Sequence, residues 1–166
     1  TTTLTRVGGM GADIPNGWWE QCDEFVRTFP KTIDEADRMF TKNAIWVGRT
    51  VGLGVMSAEE ALNYGLSGPM VRASGVAYDV RKDFPYLDYE TYDFDVPVGT
   101  RGDVYDRYLV RLEEMRQSVR ILRQALDRLP EGPVNIDDPR VILPPKRKAT
   151  SEMESMIHHF KVVMEG

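Results

Sequence analysis

The chain of 166 residues contains a single cysteine, Cys22. That excludes an intrachain disulfide framework and any cysteine-clustered metal site within it. Histidine is nearly as scarce, present only as the adjacent pair His158 and His159. No apolar run approaches the roughly 18 residues that suggest a membrane span, and the first residues are polar rather than signal-like. There is no internal repeat. Positive charge is in deficit, with 21 Lys and Arg against 26 Asp and Glu and a net charge of −5. A nucleic-acid role therefore gets no electrostatic support. What is present is ordinary for a folded chain: 42% hydrophobic and 28% charged residues. The length is that of one domain, enough to bury roughly 70% of the unfolded surface.

Residues 1–64 read as helical segments. Val7-Gly8-Gly9-Met10-Gly11 is a turn, without the Lys-Ser/Thr of a phosphate loop or the spacing of a dinucleotide fingerprint. Asn16 is positioned to cap a helix running to about Thr28, apolar at Trp18, Trp19, Cys22, Phe25 and Val26, and Pro30 should break it. Thr32 to Glu35 has the pattern of a capping box and should open a second helix, to about Phe40. Ala44–Thr50 is either a short strand or another helical turn. Ser57 to Glu60 is a further capping box, for a helix ending near Gly65. Residues 65–102 are dense in Gly, Pro and Tyr and have no sustained period; only Tyr89–Val96 alternates as a strand would. A long irregular stretch of this kind is usually functional or pressed against a partner.

Residues 103–129 predict a long helix. Tyr108, Leu112, Met115, Val119, Leu122, Leu126 and Leu129 step by fours and threes, a seam that calls for a helical bundle. Asp103 with Arg107, and Glu113 with Arg116, have the spacing of helical ion pairs. Residues 130–149 form a Pro-rich crossover ending in Lys146-Arg147-Lys148, read as a solvated loop or a subunit contact. A third capping box at Ser151 should open a final helix over 150–166, apolar at Met153, Met156, Ile157, Phe160 and Met164. The abrupt finish after an apolar pattern reads as a cut.

His158 and His159 point about 100° apart on a helix, so they cannot share a metal. His159 flanks the apolar seam and is read as a packed or interface histidine. Cys22, among tryptophans, is read as a buried, inert thiol. Glu59-Glu60 and Glu113-Glu114 are read as caps or surface positions. The richest stretch is Arg72 to Lys82, with Arg72, Tyr78, Asp79, Arg81 and Lys82 in a turn-rich setting. Arginine brings planar, bidentate donors suited to desolvated ion pairs. An internal Asp79–Arg81 lattice and an interface with a partner subunit or its cofactor are both open, and they are compatible.

Four runs carry a family resemblance: Arg6-Val7-Gly8-Gly9 with Asp13-Ile14-Pro15; Ala58 to Val76 with Tyr78-Asp79-Val80-Arg81-Lys82; Asp95-Val96-Pro97-Val98-Gly99 with Arg101-Gly102-Asp103 and Tyr105-Asp106-Arg107; and Ser155 to Lys161. Together they resemble the D-type subunit of bacterial NADH:quinone oxidoreductase, the relative of the mitochondrial 49-kDa subunit of respiratory complex I. The resemblance spans essentially the whole chain and implies a middle fragment of a longer subunit. The family's quinone-headgroup Tyr and His lie in a part that precedes this sequence, so no quinone-contacting, catalytic or metal-binding residue is carried over.

The implied fold is mainly α, a helical bundle of the nickel-iron hydrogenase large-subunit type, with long irregular loops and minor β. The implied function is that of a scaffold at the quinone site. Electrons would pass from the terminal iron–sulfur cluster of the small partner subunit to quinone, coupled to proton translocation in the membrane arm. Quinone, iron–sulfur clusters, FMN and NADH would serve the whole complex, none bound by this chain, and the isolated chain would be inactive. The implied location is the peripheral arm, on the cytoplasmic face of the bacterial inner membrane. Partner-interface candidates are Arg6, Arg72, Tyr78, Asp79, Arg81, Lys82 and His159. The rival reading is the large subunit of a membrane-bound, energy-converting nickel-iron hydrogenase.

Overall fold

The computed structural model describes residues 4–138 and 140–164. They are mainly helical, with one hairpin of two two-residue strands. Contacts group the chain into two compact units, one formed by Thr1–Trp18 with Pro130–Gly166 and the other by Trp19–Leu129.

The larger unit is organised by two long helices, α1 (Trp18–Phe40) and α6 (Val104–Asp127). Leu112 and Val119 of the α6 seam pack with Val26 and Ile33 of α1, and Phe29, Ala36, Tyr108, Met115 and Leu126 close around them. Arg116 reaches Asp34 and Asp37, while Tyr105 donates to the Thr41 carbonyl beyond the end of α1, so the helices run antiparallel. Leu122 and Leu129, also on the predicted seam, stay largely exposed.

Pro30 does not break α1, which continues through it. A mid-helix proline costs about 3 kcal/mol. Val26 and Ile33, one turn to either side, are both buried against α6, and that burial is of comparable size. Cys22 is only half-buried, and Trp18, Trp19 and Phe25 are exposed, so the first part of the predicted apolar face is largely uncovered.

Ala44–Thr50 is a helix, α2, because the Asn43 side chain accepts from the amides of Ile45 and Trp46 and caps it. The capping box before α3 (Ala58–Asn63) forms as expected, with Ser57 and Glu60 bonding reciprocally. Leu66 N–H to the Ala61 carbonyl and Gly65 N–H to the Leu62 carbonyl then close its C-terminus.

The irregular stretch contains α4 (Pro69–Ala73), α5 (Val80–Asp83) and a single 3₁₀ turn at Tyr89–Thr91. The strand expected at Tyr89–Val96 is absent. Its backbone is held by helix side chains in place of a neighbouring strand. Gln124 accepts from the Asp93 amide at 2.9 Å and donates to the Asp93 carbonyl at 2.7 Å, and Gln117 accepts from the Asp95 amide at 3.0 Å. Arg120 pairs with both Asp93 and Asp95.

In the smaller unit, β1 (Thr5–Arg6) and β2 (Gly9–Met10) form an antiparallel hairpin with Thr5 opposite Met10. Lys146–Ser151 is a helix, α7, so the basic triplet lies on an exposed helix and not in a loop. Ser151 belongs to α7 and bonds back to the Arg147 carbonyl. It therefore does not cap α8 (Met153–Met164). Among the described residues, every buried side chain lies in the larger unit.

Candidate functional site

The resemblance blocks Ala58–Lys82 and Asp95–Arg107 converge in the larger unit, where α4 packs on α6. Two buried carboxylates organise the join. Asp103 caps α6 by accepting from the Asp106 amide at 2.8 Å, and its other oxygen accepts from the Gly52 amide at 2.8 Å. Asp106 accepts from the amides of Thr100 at 2.8 Å and Arg101 at 2.6 Å. Burial alone would raise the Asp103 pKa, but the Gly52 and Asp106 amides outweigh it and hold the carboxyl below its usual range. The Asp103–Arg107 ion pair does not form. With the Asp103 oxygens bound to amides, Arg107 donates to the carbonyls of Gly54 and Gly102.

Close backbone approach dictates the glycines of this segment. A Cβ on Gly99 would lie 2.7 Å from the Ala73 carbonyl oxygen. One on Gly102, whose φ is +67°, would lie 2.0 Å from the Met56 carbonyl oxygen. The Gly99 amide bonds Arg72 O at 2.9 Å and the Gly102 amide bonds Ala73 O at 3.0 Å, which stitches the loop to α4.

Arg72 is buried on α4. Its Nε donates to Glu114 Oε1 at 2.7 Å, its Nη2 contacts the same oxygen, and its Nη1 donates to the Tyr78 carbonyl at 2.9 Å. Asp79 is buried as the N-cap of α5 and accepts from Arg81 through Nε at 3.0 Å and Nη2 at 2.7 Å. The Arg81 guanidinium holds the Asp79 carboxyl below the usual carboxylate range, and the carboxylate in turn raises Arg81. Arg81 lies 4.8 Å from the buried Phe94 ring centroid, and the Lys82 ammonium lies 4.7 Å from it. The internal lattice therefore exists. Tyr78, Lys82, Phe84, Tyr86 and Leu87 of the same stretch are exposed.

Five of the seven candidates, Arg72, Tyr78, Asp79, Arg81 and Lys82, are thus brought together. Arg6 and His159 belong to the smaller unit, Arg6 exposed on β1 and His159 half-buried on α8. Glu114 is the main omission: read as surface, it is the half-buried partner of the buried Arg72. The available signal was a second α6 stripe, Asp103, Asp106, Val110, Glu114 and Gln117, at helical spacing beside the apolar seam. Among the described residues no group of three or more His, Cys, Asp and Glu is placed to hold a metal ion.

The family model for the 49-kDa subunit of respiratory-chain NADH dehydrogenase matches residues 1–166. The chain is 51% identical to the D-type subunit of NADH-quinone oxidoreductase from Methylacidiphilum infernorum over 166 residues, all of this chain and 40% of that protein. It is 52% identical to the same subunit of Myxococcus xanthus, again covering 40% of it, and 51% identical to that of Geotalea uraniireducens, covering 43%. The chain spans about two fifths of the length of the curated relatives it matches. It belongs to the family of the 49-kDa subunit of respiratory-chain NADH dehydrogenase.

Proposed function

We propose that this chain is the scaffold portion of the quinone-site subunit of an NADH:quinone oxidoreductase. The observation that carries the reading is the family match along the whole chain, with relatives at about half identity that all bear the name of that enzyme's D-type subunit. Its core extends the α1–α6 pair into a helical bundle of the nickel-iron hydrogenase large-subunit type. Electrons pass from the terminal iron–sulfur cluster of a small partner subunit to quinone, and that transfer is coupled to proton translocation.

One cysteine and two adjacent histidines make no ligand set for such a cluster. The side chains of this stretch therefore position and support, and the redox groups belong to its partners. The Arg72–Glu114 and Asp79–Arg81 pairs brace the 78–87 loop from inside, and Tyr78, Lys82 and the loop's exposed aromatics face the neighbouring subunit. The complex sits on the cytoplasmic face of the bacterial inner membrane. No described helix is long and apolar enough to cross a membrane, which suits a peripheral arm.

Purification of the native assembly through this subunit tests the reading. NADH:quinone reduction with flavin and iron–sulfur in the same particle, and no nickel, is the expected result. Stoichiometric nickel without NADH oxidation would reassign the subunit to an energy-converting hydrogenase.

A further inference from the structure

The chain has four asparagines, and three of them are held in place. Asn43 Oδ1 accepts from the Ile45 and Trp46 amides at 2.9 and 3.3 Å. Asn135 Oδ1 accepts from the Met10 amide at 2.9 Å, and the amide that follows it, Ile136 N–H, donates to the Gly8 carbonyl at 2.9 Å. Asn63 ends α3, and the Tyr64 amide that follows it donates to the Glu60 carbonyl at 3.0 Å. Asn16 differs on both counts. The helix cap expected of it does not form, and α1 begins at Trp18. Among the described residues, neither the Asn16 side chain nor the Gly17 amide finds a hydrogen-bond partner. Both residues are exposed, as are all their neighbours from 11 to 20. One hydrogen bond, from the Trp18 amide to the Pro15 carbonyl at 3.1 Å, closes the turn that contains them. An exposed turn held by a single backbone bond opens readily.

This freedom has a covalent consequence. The side-chain carbonyl carbon of an asparagine can close a five-membered ring with the backbone nitrogen of the next residue. Gly17, with φ at +80°, has no Cβ to shield that nitrogen or to restrict its approach. We propose that Asn16-Gly17 is a site of spontaneous deamidation. The Gly17 nitrogen gives its proton to water or hydroxide and bonds to Asn16 Cγ. The Cγ–Nδ2 bond breaks and ammonia leaves. Water then opens the cyclic imide: attack at Cγ yields an aspartyl residue, and attack at the backbone carbonyl carbon yields an isoaspartyl one. One water is consumed, one ammonia is released, and nothing is oxidised or reduced. Either product adds a negative charge to a chain already at −5, just before the first turn of α1. The isoaspartyl form also routes the main chain through Cβ and Cγ, lengthening the link between β2 and α1 by one carbon. The inference stands independently of any redox assignment.

The test ages the native assembly that contains this chain in mildly alkaline buffer and compares its proteolytic digest with that of fresh assembly. Mass spectrometry reads the exchange of NH₂ for OH, and electron-transfer fragmentation separates aspartyl from isoaspartyl peptides. The Asn16 peptide should convert with time to both forms, the isoaspartyl in excess, while the peptides of Asn43, Asn63 and Asn135 stay unchanged. Gly17→Ala should slow the conversion at least about tenfold, because a Cβ restricts the attacking nitrogen. Asn16→Gln, whose extra methylene would require a six-membered ring, should abolish it. Conversion at Asn16 no faster than at the other three asparagines, or an aspartyl product without its isoaspartyl companion, would overturn the proposal. If Gly17→Ala does not assemble, the product ratio in the unaltered chain decides.

Discussion

Asp79 and Arg81 lie two residues apart, yet their pairing has consequences well beyond the turn they share. Removing Arg81 leaves a buried carboxylate whose nearest remaining cation, Arg72, is 4.0 Å away and already engaged by Glu114. Arg81→Ala should destabilise the larger unit by about 3 kcal/mol, the cost of an uncompensated buried charge. Urea unfolding checks it, and a change below about 1 kcal/mol would show the pair to be solvated. The carboxylates also set an acid limit. Asp79 and Asp103 have folded pKa values below their unfolded ones. Their stabilisation is complete above the unfolded carboxylate value of about 4 and is lost as pH falls through the lower folded values. Asp103→Asn removes one of these contributions. It should cost about 1–2 kcal/mol near neutrality and flatten the stability loss below about pH 4. Acid titration by circular dichroism reads both, and an unchanged acid limb would contradict the role of the cap.

Among the elements, α6 shows how one helix carries two faces. Its apolar seam meets α1, and its polar stripe holds α4 through Glu114 and the extended 92–95 segment through Gln117 and Gln124. Gln124→Ala should free the Asp93 amide and carbonyl together. Hydrogen exchange at Asp93 should then rise about tenfold, for loss of roughly 1–1.5 kcal/mol, while the α6 amides keep their protection. The same competition explains why an alternating run did not become a strand. Alternation reports which side chains are buried, here Phe94, but a strand also needs a partner edge, and α6 supplied amide side chains in its place. In α1 the local signal was overridden from the other direction. Pro30→Ala should stabilise the unit by about 1–3 kcal/mol in thermal unfolding, because the helix already continues through that position. A loss of stability would mean that α1 needs the proline's shape to reach α6.

For the whole molecule, the distribution of burial decides behaviour. The larger unit has a core, whereas the smaller unit leaves Met153, Ile157, Phe160, Val163 and Met164 facing solvent. Exposed apolar faces of this extent drive association. The chain on its own should therefore self-associate in sedimentation velocity. Ile157→Glu with Phe160→Glu should return it toward a monomer without shifting the unfolding of the larger unit. A monodisperse monomer before any substitution would contradict this.

Local chemistry was legible where a few neighbouring residues suffice: the Ser57 capping box, the α6 seam, the turn at Gly8-Gly9 and the Asp79–Arg81 pair follow from spacing and side-chain type alone. The contiguous blocks likewise determined the family. Tertiary structure decided whatever depended on a distant partner. It carried α1 through Pro30, paired Glu114 with the buried Arg72, diverted Asp103 from Arg107 to the Gly52 amide and left the 92–95 backbone to glutamines. In each case a local preference of about 1–3 kcal/mol met long-range burial or hydrogen bonding of equal or greater size, which periodicity along the chain does not encode.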